Sequence, residues 1–328
     1  MKKGIIKQTH VYQHKIPQVY MREWQHSKNK IFVYKKEQIL NGFKGLQENK
    51  IIPSYEIVKI LFSGKSKEID CFGGENDFYT IKEDSLICTE NDLKRIKNGE
   101  ERILDIEHGW TSLENKWNSL VKNIINNTNT KKLSIGSFKK DEIINFIISM
   151  FFRGNNGIEN FKNTIIKIIE SEETIDKKDK FLMEMALTNI DKFAKDALLG
   201  EVRKLFDNNG ILYNISKIFR EDFNIVFCKA TDGVDFITSD NPCVSEYTLF
   251  RDKKGVIKDA GNKKSIVMPI TPKIVAMLLL DKGNNNKYKI CKLEEENVKN
   301  FNRMLLENSN EWVISNNSNI FEQLCDIN

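Results

Sequence analysis

Nine residues near the N-terminus, His14-Lys15-Ile16-Pro17-Gln18-Val19-Tyr20-Met21-Arg22, carry an imidazole, a carboxamide, a phenol and a guanidinium. The imidazole can move a proton near neutral pH, and the guanidinium holds a permanent charge. The carboxamide and phenol donate and accept hydrogen bonds. Such a set can bind a phosphate or carboxylate and transfer a proton. The plain alternative is a short amphipathic entry helix after Pro17, with Tyr20 and Trp24 packed and Arg22 solvated. A second polar stretch, Phe236-Ile237-Thr238-Ser239-Asp240-Asn241-Pro242, lies more than two hundred residues later. Proline lacks an N–H and drives Asn241 toward an extended backbone. The pattern predicts a strand that ends by displaying a carboxylate and a carboxamide. A turn whose side chains cap their own backbone fits the same residues.

Two single residues join these stretches. Glu107 sits on the flank of an amphipathic helix, where an exposed glutamate is also ordinary. Arg153 ends an apolar helix and complements its dipole. If that helix is central, the guanidinium needs a partner, and Glu107 or Asp240 could supply one. Other patterns fail. Gly64-Lys65-Ser66 lacks the glycine of a phosphate loop, because Lys59 stands there. His10 and His14 have no glutamate placed for a zinc site. Arg102 and His108 match only a short, degenerate ribonuclease-like spacing. No pattern names a cofactor or a metal.

The elements that must position these residues are legible in outline. Ile103, Ile106, Trp110, Leu113, Trp117, Leu120 and Ile124 recur at spacings of three and four, predicting a helix over 100–125. Residues 126–132 read as a polar linker, and 139–152 as a helix apolar nearly all round. Further helices fit 158–171, 180–206 and 293–308. Strands fit 31–35 and 312–315. Short strand-like runs, including 234–238, follow residue 222 and suggest an antiparallel meander. Residues 64–80 read as a loop. The expected class is α+β in one domain over 1–328. Its middle, about 100–222, is mostly helical. The N-terminal strand segment (10–35) and the C-terminal meander (about 223–315) pack on that middle.

Composition sets bounds. Fifty-one basic residues against 46 acidic give a net charge of +5, which permits nucleic-acid binding without arguing for it. Six scattered cysteines without a C-x-x-C pair read as reduced thiols rather than a disulfide framework. Met1-Lys2-Lys3 is not followed by an apolar segment of signal-peptide length, and the longest apolar runs are too short to span a bilayer. The expectation is a cytoplasmic protein without a membrane partner.

His14-x-x-Pro17-Gln18-x-Tyr20-Met21-x-x-Trp24, then Ile31-Phe32-Val33-Tyr34 and Asp77-Phe78-Tyr79, resembles the start of the bacterial family DUF4238. Further matches are Ile106-Glu107, Phe152-Arg153, Ile237 to Pro242, and Pro269-Ile270-Thr271-Pro272. The likeness runs, with gaps, from about 10 to about 315. Met21 and Trp24 depart from a usual leucine and phenylalanine, and Gly154-Asn155 from a usual Thr-Pro. The resemblance implies that the polar residues act together, and it carries no reaction of its own.

Two functions are expected from the residues. The first is a phosphodiester-acting, nuclease-like hydrolase, as a defence or toxin effector. Here His14 is the general acid or base, Arg153 and Arg22 stabilise phosphate charge, and Asp240 orients the histidine or holds a metal. Glu107 is a further catalytic candidate, while Gln18, Tyr20, Arg22, Ser239 and Asn241 contact the substrate. The alternative is a non-catalytic sensor or binding module for a small anionic ligand or nucleic acid. A third reading makes the same residues a buried network that ties the N-terminal segment to the C-terminal sheet.

Overall fold

The structure, a computed structural model, describes residues 12–49, 54–76, 78–80, 84–85, 87–98, 105–130, 139–153, 157–159, 162–163, 166, 187–203, 211–245, 249–251, 257–259, 265–280 and 289–325. Most of the helix expected over 158–171, and part of that over 180–206, lie outside the described residues; 158, 159, 162, 163 and 166 are described and helical. The class is α+β. The chain divides into two compact units. The first comprises Met1–Lys15, Gly73–Ser112 and Phe152–Asn214; the second comprises Ile16–Phe72, Leu113–Phe151 and Ile215–Asn328.

In the first unit the strand Tyr12–His14 pairs antiparallel with Gly74–Asn76, with His14 opposite Gly74. The helix Ile190–Arg203 buries Ala194, Leu198 and Leu199, spaced as one helical face. The helix Glu90–Lys97 opens with a capping box: Thr89 accepts from the Asp92 N–H, and Asp92 accepts from the Thr89 N–H.

The second unit holds two four-stranded sheets. One has the order Lys289–Leu293, Phe223–Ala230, Ile274–Leu280, Ser265–Thr271. Ile274–Leu280 pairs antiparallel with both Phe223–Ala230 and Ser265–Thr271, in keeping with the expected antiparallel strands. Lys289–Leu293 differs and runs parallel to Phe223–Ala230. It crosses to the far side of that strand instead of pairing with Ile274–Leu280, and nothing in local periodicity encodes the crossing. The other sheet has the order Lys65–Glu68, Lys30–Lys35, Trp312–Ser315, Thr238–Ser239, all antiparallel. Lys30–Lys35 thus pairs with the C-terminal strand Trp312–Ser315, whereas Tyr12–His14 pairs with Gly74–Asn76. The edge strand Lys65–Glu68 is exposed at every residue, so no apolar alternation marked it in sequence. The helix Glu295–Asn308 buries Val298, Phe301 and Leu305 against Tyr34, Phe62, Phe236 and Val313 in one apolar cluster.

The helix Asp105–Thr130 buries Trp110, Leu113, Trp117, Leu120 and Ile124, the stripe its spacing predicts. It runs through the segment expected to be a linker. There Asn127 Nδ2 donates to the Asn123 carbonyl (2.8 Å) and Thr128 Oγ1 to the Ile125 carbonyl (3.0 Å), so polar side chains bond back to their own helix. The helix Lys140–Phe152 is buried on several sides, consistent with its near-uniform apolarity. Trp117 stacks on Phe146 with ring centroids 3.7 Å apart. Among the described residues, no helix is long and apolar enough to cross a membrane.

Candidate functional site

The second unit contains most of the two polar stretches. Pro17 caps the short helix Gln18–Met21, and its carbonyl accepts from the Tyr20 and Met21 amides, both at 3.0 Å. This turn drives Tyr20 into the core, where it is fully covered. Its ring meets Trp24 at 4.7 Å and Trp117 at 6.1 Å. Its hydroxyl donates to the Pro269 carbonyl (2.9 Å) and lies 2.6 Å from Thr238 Oγ1. A phenol has one proton, so the Thr238 hydroxyl supplies the second bond. Burial pushes the Tyr20 phenol well above its ordinary value, which keeps it neutral. Gln18 and Arg22 face outward, Arg22 donating to Gln18 Oε1 at 3.3 Å.

The strand expected over 234–238 is confined to Thr238–Ser239, because the backbone of 236–237 bonds outside the sheet, and it stops at Asp240. Thr238 and Ser239 are fully covered, and Ser239 Oγ accepts from the Asn241 amide at 3.1 Å. The Asp240 carboxylate accepts three backbone N–H bonds. They come from Asn310 (2.8 Å), Glu311 (2.8 Å) and Trp312 (3.1 Å). The Asp240 amide returns a bond to the Trp312 carbonyl at 3.0 Å. Burial raises the Asp240 pKa, and the three N–H bonds oppose that shift. Asn241 donates to the Asn308 carbonyl and Asn308 donates to the Asn241 carbonyl, each at 2.9 Å. Asp240 and Asn241 therefore secure the turn between the helix Glu295–Asn308 and the strand Trp312–Ser315. The carboxylate displayed at the strand end is aimed at backbone.

The first unit contains the other named residues. His14 is half-buried in the strand Tyr12–His14, its ring edge-on to Tyr12 at 5.1 Å. Glu107 lies on the helix Asp105–Thr130, and its side chain falls outside what the structure describes. Arg153 is 6% exposed, with its guanidinium carbon 4.5 Å from the Trp110 ring centroid and 6.0 Å from that of Tyr79. Lys15 and Lys195 both lie against Phe78, at 4.4 Å and 4.6 Å from its centroid. Lys15 also pairs with Glu75 at 2.5 Å. Gln13 is 1% exposed; its Oε1 accepts from the Tyr79 amide, and its Nε2 has no hydrogen-bond partner. Thr80 Oγ1 and Trp110 Nε1 are likewise buried without a partner. The Trp24 and Trp117 indoles share that condition in the second unit, so Gln13 and Thr80 carry more weight. Cations and unsatisfied donors thus gather around Phe78, Tyr79 and Trp110. Sequence reasoning missed Gln13, Lys15, Thr80 and Lys195. Of these, Gln13 and Lys15 had a local signal, flanking His14 in sequence.

A second cluster lines a cavity of about 400 Å³ in the second unit, with Glu23, Lys229, Asp235, Lys273 and Asn316 on its wall. Asp235 pairs with Lys273 at 2.5 Å and accepts from Asn316 at 3.0 Å. Burial pushes the Glu23 carboxyl up to about 7, against the opposing pull of Lys122. Among the described residues, no group of three or more His, Cys, Asp or Glu could hold a metal ion.

The named residues therefore fall into two sets. His14, Glu107 and Arg153 belong to the first unit, and Gln18, Tyr20, Arg22, Ser239, Asp240 and Asn241 to the second. Within the second set, the structure joins Tyr20 to Thr238 and Asp240 to the 310–312 backbone. No match was found among curated proteins or among solved structures. The family described as "Protein of unknown function (DUF4238)" matches residues 12–319, nearly the whole chain, and the protein belongs to that family.

Proposed function

We propose that this protein binds a small phosphate-bearing anion through the first unit, with Gln13, Thr80, Trp110 and Arg153 as the recognising groups. The observation that carries the reading is the pair of buried donors without a partner, Gln13 Nε2 and Thr80 Oγ1, one on a residue bonded to the Tyr79 amide and the other next to Tyr79 in sequence, with the buried Arg153 guanidinium 6.0 Å from the Tyr79 ring centroid. A buried donor without an acceptor costs about 1–3 kcal/mol, and an anion would remove that cost. Phosphate suits the set because guanidinium and amide donors both bond its oxygens well. The rings of Phe78, Tyr79 and Trp110 are at most 4% exposed, so they do not offer faces on which exposed bases could stack. That favours a small anion or a terminal phosphate over a long single strand.

Phosphodiester hydrolysis is the second reading. It is favoured by His14, the one titratable imidazole in the strand that also carries Gln13 and is followed directly by Lys15. In that case His14 transfers the proton while the same donors hold the phosphate.

Thermal unfolding in phosphate and in chloride at equal ionic strength tests binding. Phosphate should raise the Tm beyond chloride. The Gln13→Glu variant keeps the acceptor for the Tyr79 amide and replaces the donor by a negative charge. It should remain folded and lose the phosphate effect. An equal response to phosphate in Gln13→Glu and wild type would overturn the site. Incubation with 5′-labelled RNA and DNA oligonucleotides separates the two readings. Product that vanishes in His14→Ala supports hydrolysis, and binding without product supports recognition alone.

A further inference from the structure

The parallel pairing of Phe223–Ala230 with Lys289–Leu293 sets Cys228 directly opposite Cys291. Their sulfurs are 2.9 Å apart, the Cys291 thiol donating toward Cys228. The Cys228 thiol donates in turn toward the Met277 thioether, 3.4 Å away. A disulfide needs sulfurs at about 2.04 Å and Cα atoms roughly 4.4–6.8 Å apart. Adjacent strands are spaced about 4.8 Å, so the backbone already meets the second condition. Closing the first takes side-chain movement of about 1 Å. Cys228 is covered in an inner strand, whereas Cys291 is only partly covered and lies on the edge strand of its sheet.

We propose that Cys228 and Cys291 form an oxidation site at which hydrogen peroxide converts two thiols into one cross-strand disulfide. The Cys291 sulfur attacks peroxide first, because it is the accessible one. One O–O bond breaks, Cys291 becomes a sulfenic acid, and one water leaves. The Cys228 sulfur then attacks the Cys291 sulfur. The S–S bond forms, the S–OH bond breaks, and the hydroxyl departs as water with the Cys228 proton. Two thiols lose two hydrogens and two electrons, and one peroxide becomes two waters. The contact with Cys291 and burial both raise the Cys228 thiol well above its ordinary value. The second step therefore accelerates as pH rises. The product ties the edge strand to its neighbour and restricts the unfolded chain between the two residues.

The reduced protein, treated with limiting hydrogen peroxide, alkylated and digested, tests this directly. The expected product is a Cys228–Cys291 linked peptide lighter by two hydrogens. The Tm should rise by roughly 5 °C or more and fall back on reduction with dithiothreitol. Cys291→Ser should abolish the linked peptide. Cys228→Ala should leave Cys291 as a sulfenic acid that dimedone traps. The proposal fails if both residues remain alkylatable in wild type after the exposed Cys71 is fully oxidised. It also fails if Cys228 or Cys291 is recovered only in links to other cysteines. The wild-type peptide map decides the matter even if a variant does not fold.

Discussion

Tyr20 and Thr238 are 218 residues apart in sequence, yet their hydroxyl oxygens lie 2.6 Å apart in the fully covered core of the second unit. The same phenol reaches the Pro269 carbonyl, so three polar stretches that stand apart in the chain meet at one oxygen. The contact gives Tyr20 a structural role that needs no substrate.

Tyr20→Phe keeps the ring and removes both hydrogen bonds, leaving the Thr238 hydroxyl and Pro269 carbonyl buried with a lost partner. It should cost about 1–3 kcal/mol of stability. Urea unfolding measures this. An unchanged midpoint at an unchanged slope would show that the network contributes nothing.

Asp240→Ala frees three backbone N–H groups at the 310–312 turn. Bonds to a charged acceptor contribute about 1.5–3 kcal/mol, so a loss of at least that size is expected. Asp240→Asn should recover only part, because its Nδ2 faces an N–H. A catalytic role predicts the opposite pattern: stability retained and activity lost. Circular dichroism melts of the two variants distinguish these outcomes.

Thr80→Val is nearly isosteric and deletes one buried hydroxyl that has no partner. The unliganded protein should be as stable as wild type or more so, by up to about 1 kcal/mol. The phosphate-induced Tm shift should shrink. Stability lost with the phosphate effect intact would remove Thr80 from the anion site.

Glu23 titrates near neutrality because burial favours its neutral form. Between the ordinary carboxyl value and about 7, the folded state binds more protons than the unfolded state. Glu23 therefore contributes stability at low pH that is lost as pH rises through this window. Lys122 also acts on Glu23, and Lys229, Asp235 and Lys273 line the same cavity. Glu23→Gln should raise the Tm relative to wild type at pH 8, with the gain fading toward pH 5. A constant difference across that range would assign the pH dependence elsewhere.

Cooperative elements were legible in sequence where one local rule applied. The stripe from Trp110 to Ile124 identified its helix, and the all-round apolarity of 140–152 marked a buried one. The strands Lys30–Lys35 and Trp312–Ser315 followed from short β-branched and aromatic runs between turn residues. Reading failed where a partner supplied the structure. Lys65–Glu68 becomes a strand because Lys30–Lys35 offers it backbone bonds, with no apolar residue of its own. The segment before Thr238 is held by other means: the Phe236 amide bonds the Pro272 carbonyl and the Ile237 amide bonds Asn302 Oδ1.

The polar residues show the same division. Composition and spacing singled out His14, Arg153, Tyr20 and Asp240 as candidate site residues. They could not tell a carboxylate that receives three backbone amides from one that faces a substrate, because both end a strand before a proline. Nor could they show that Gln13 Nε2 and Thr80 Oγ1 would be buried without a partner. The amino-acid order by itself determined helical faces and strand ends, which depend on neighbours within a few turns of chain, and family membership, which rests on short motifs in order along residues 12–319. Only the tertiary structure decided which polar groups meet, since hydrogen bonds across more than two hundred residues depend on the packing of the elements between them.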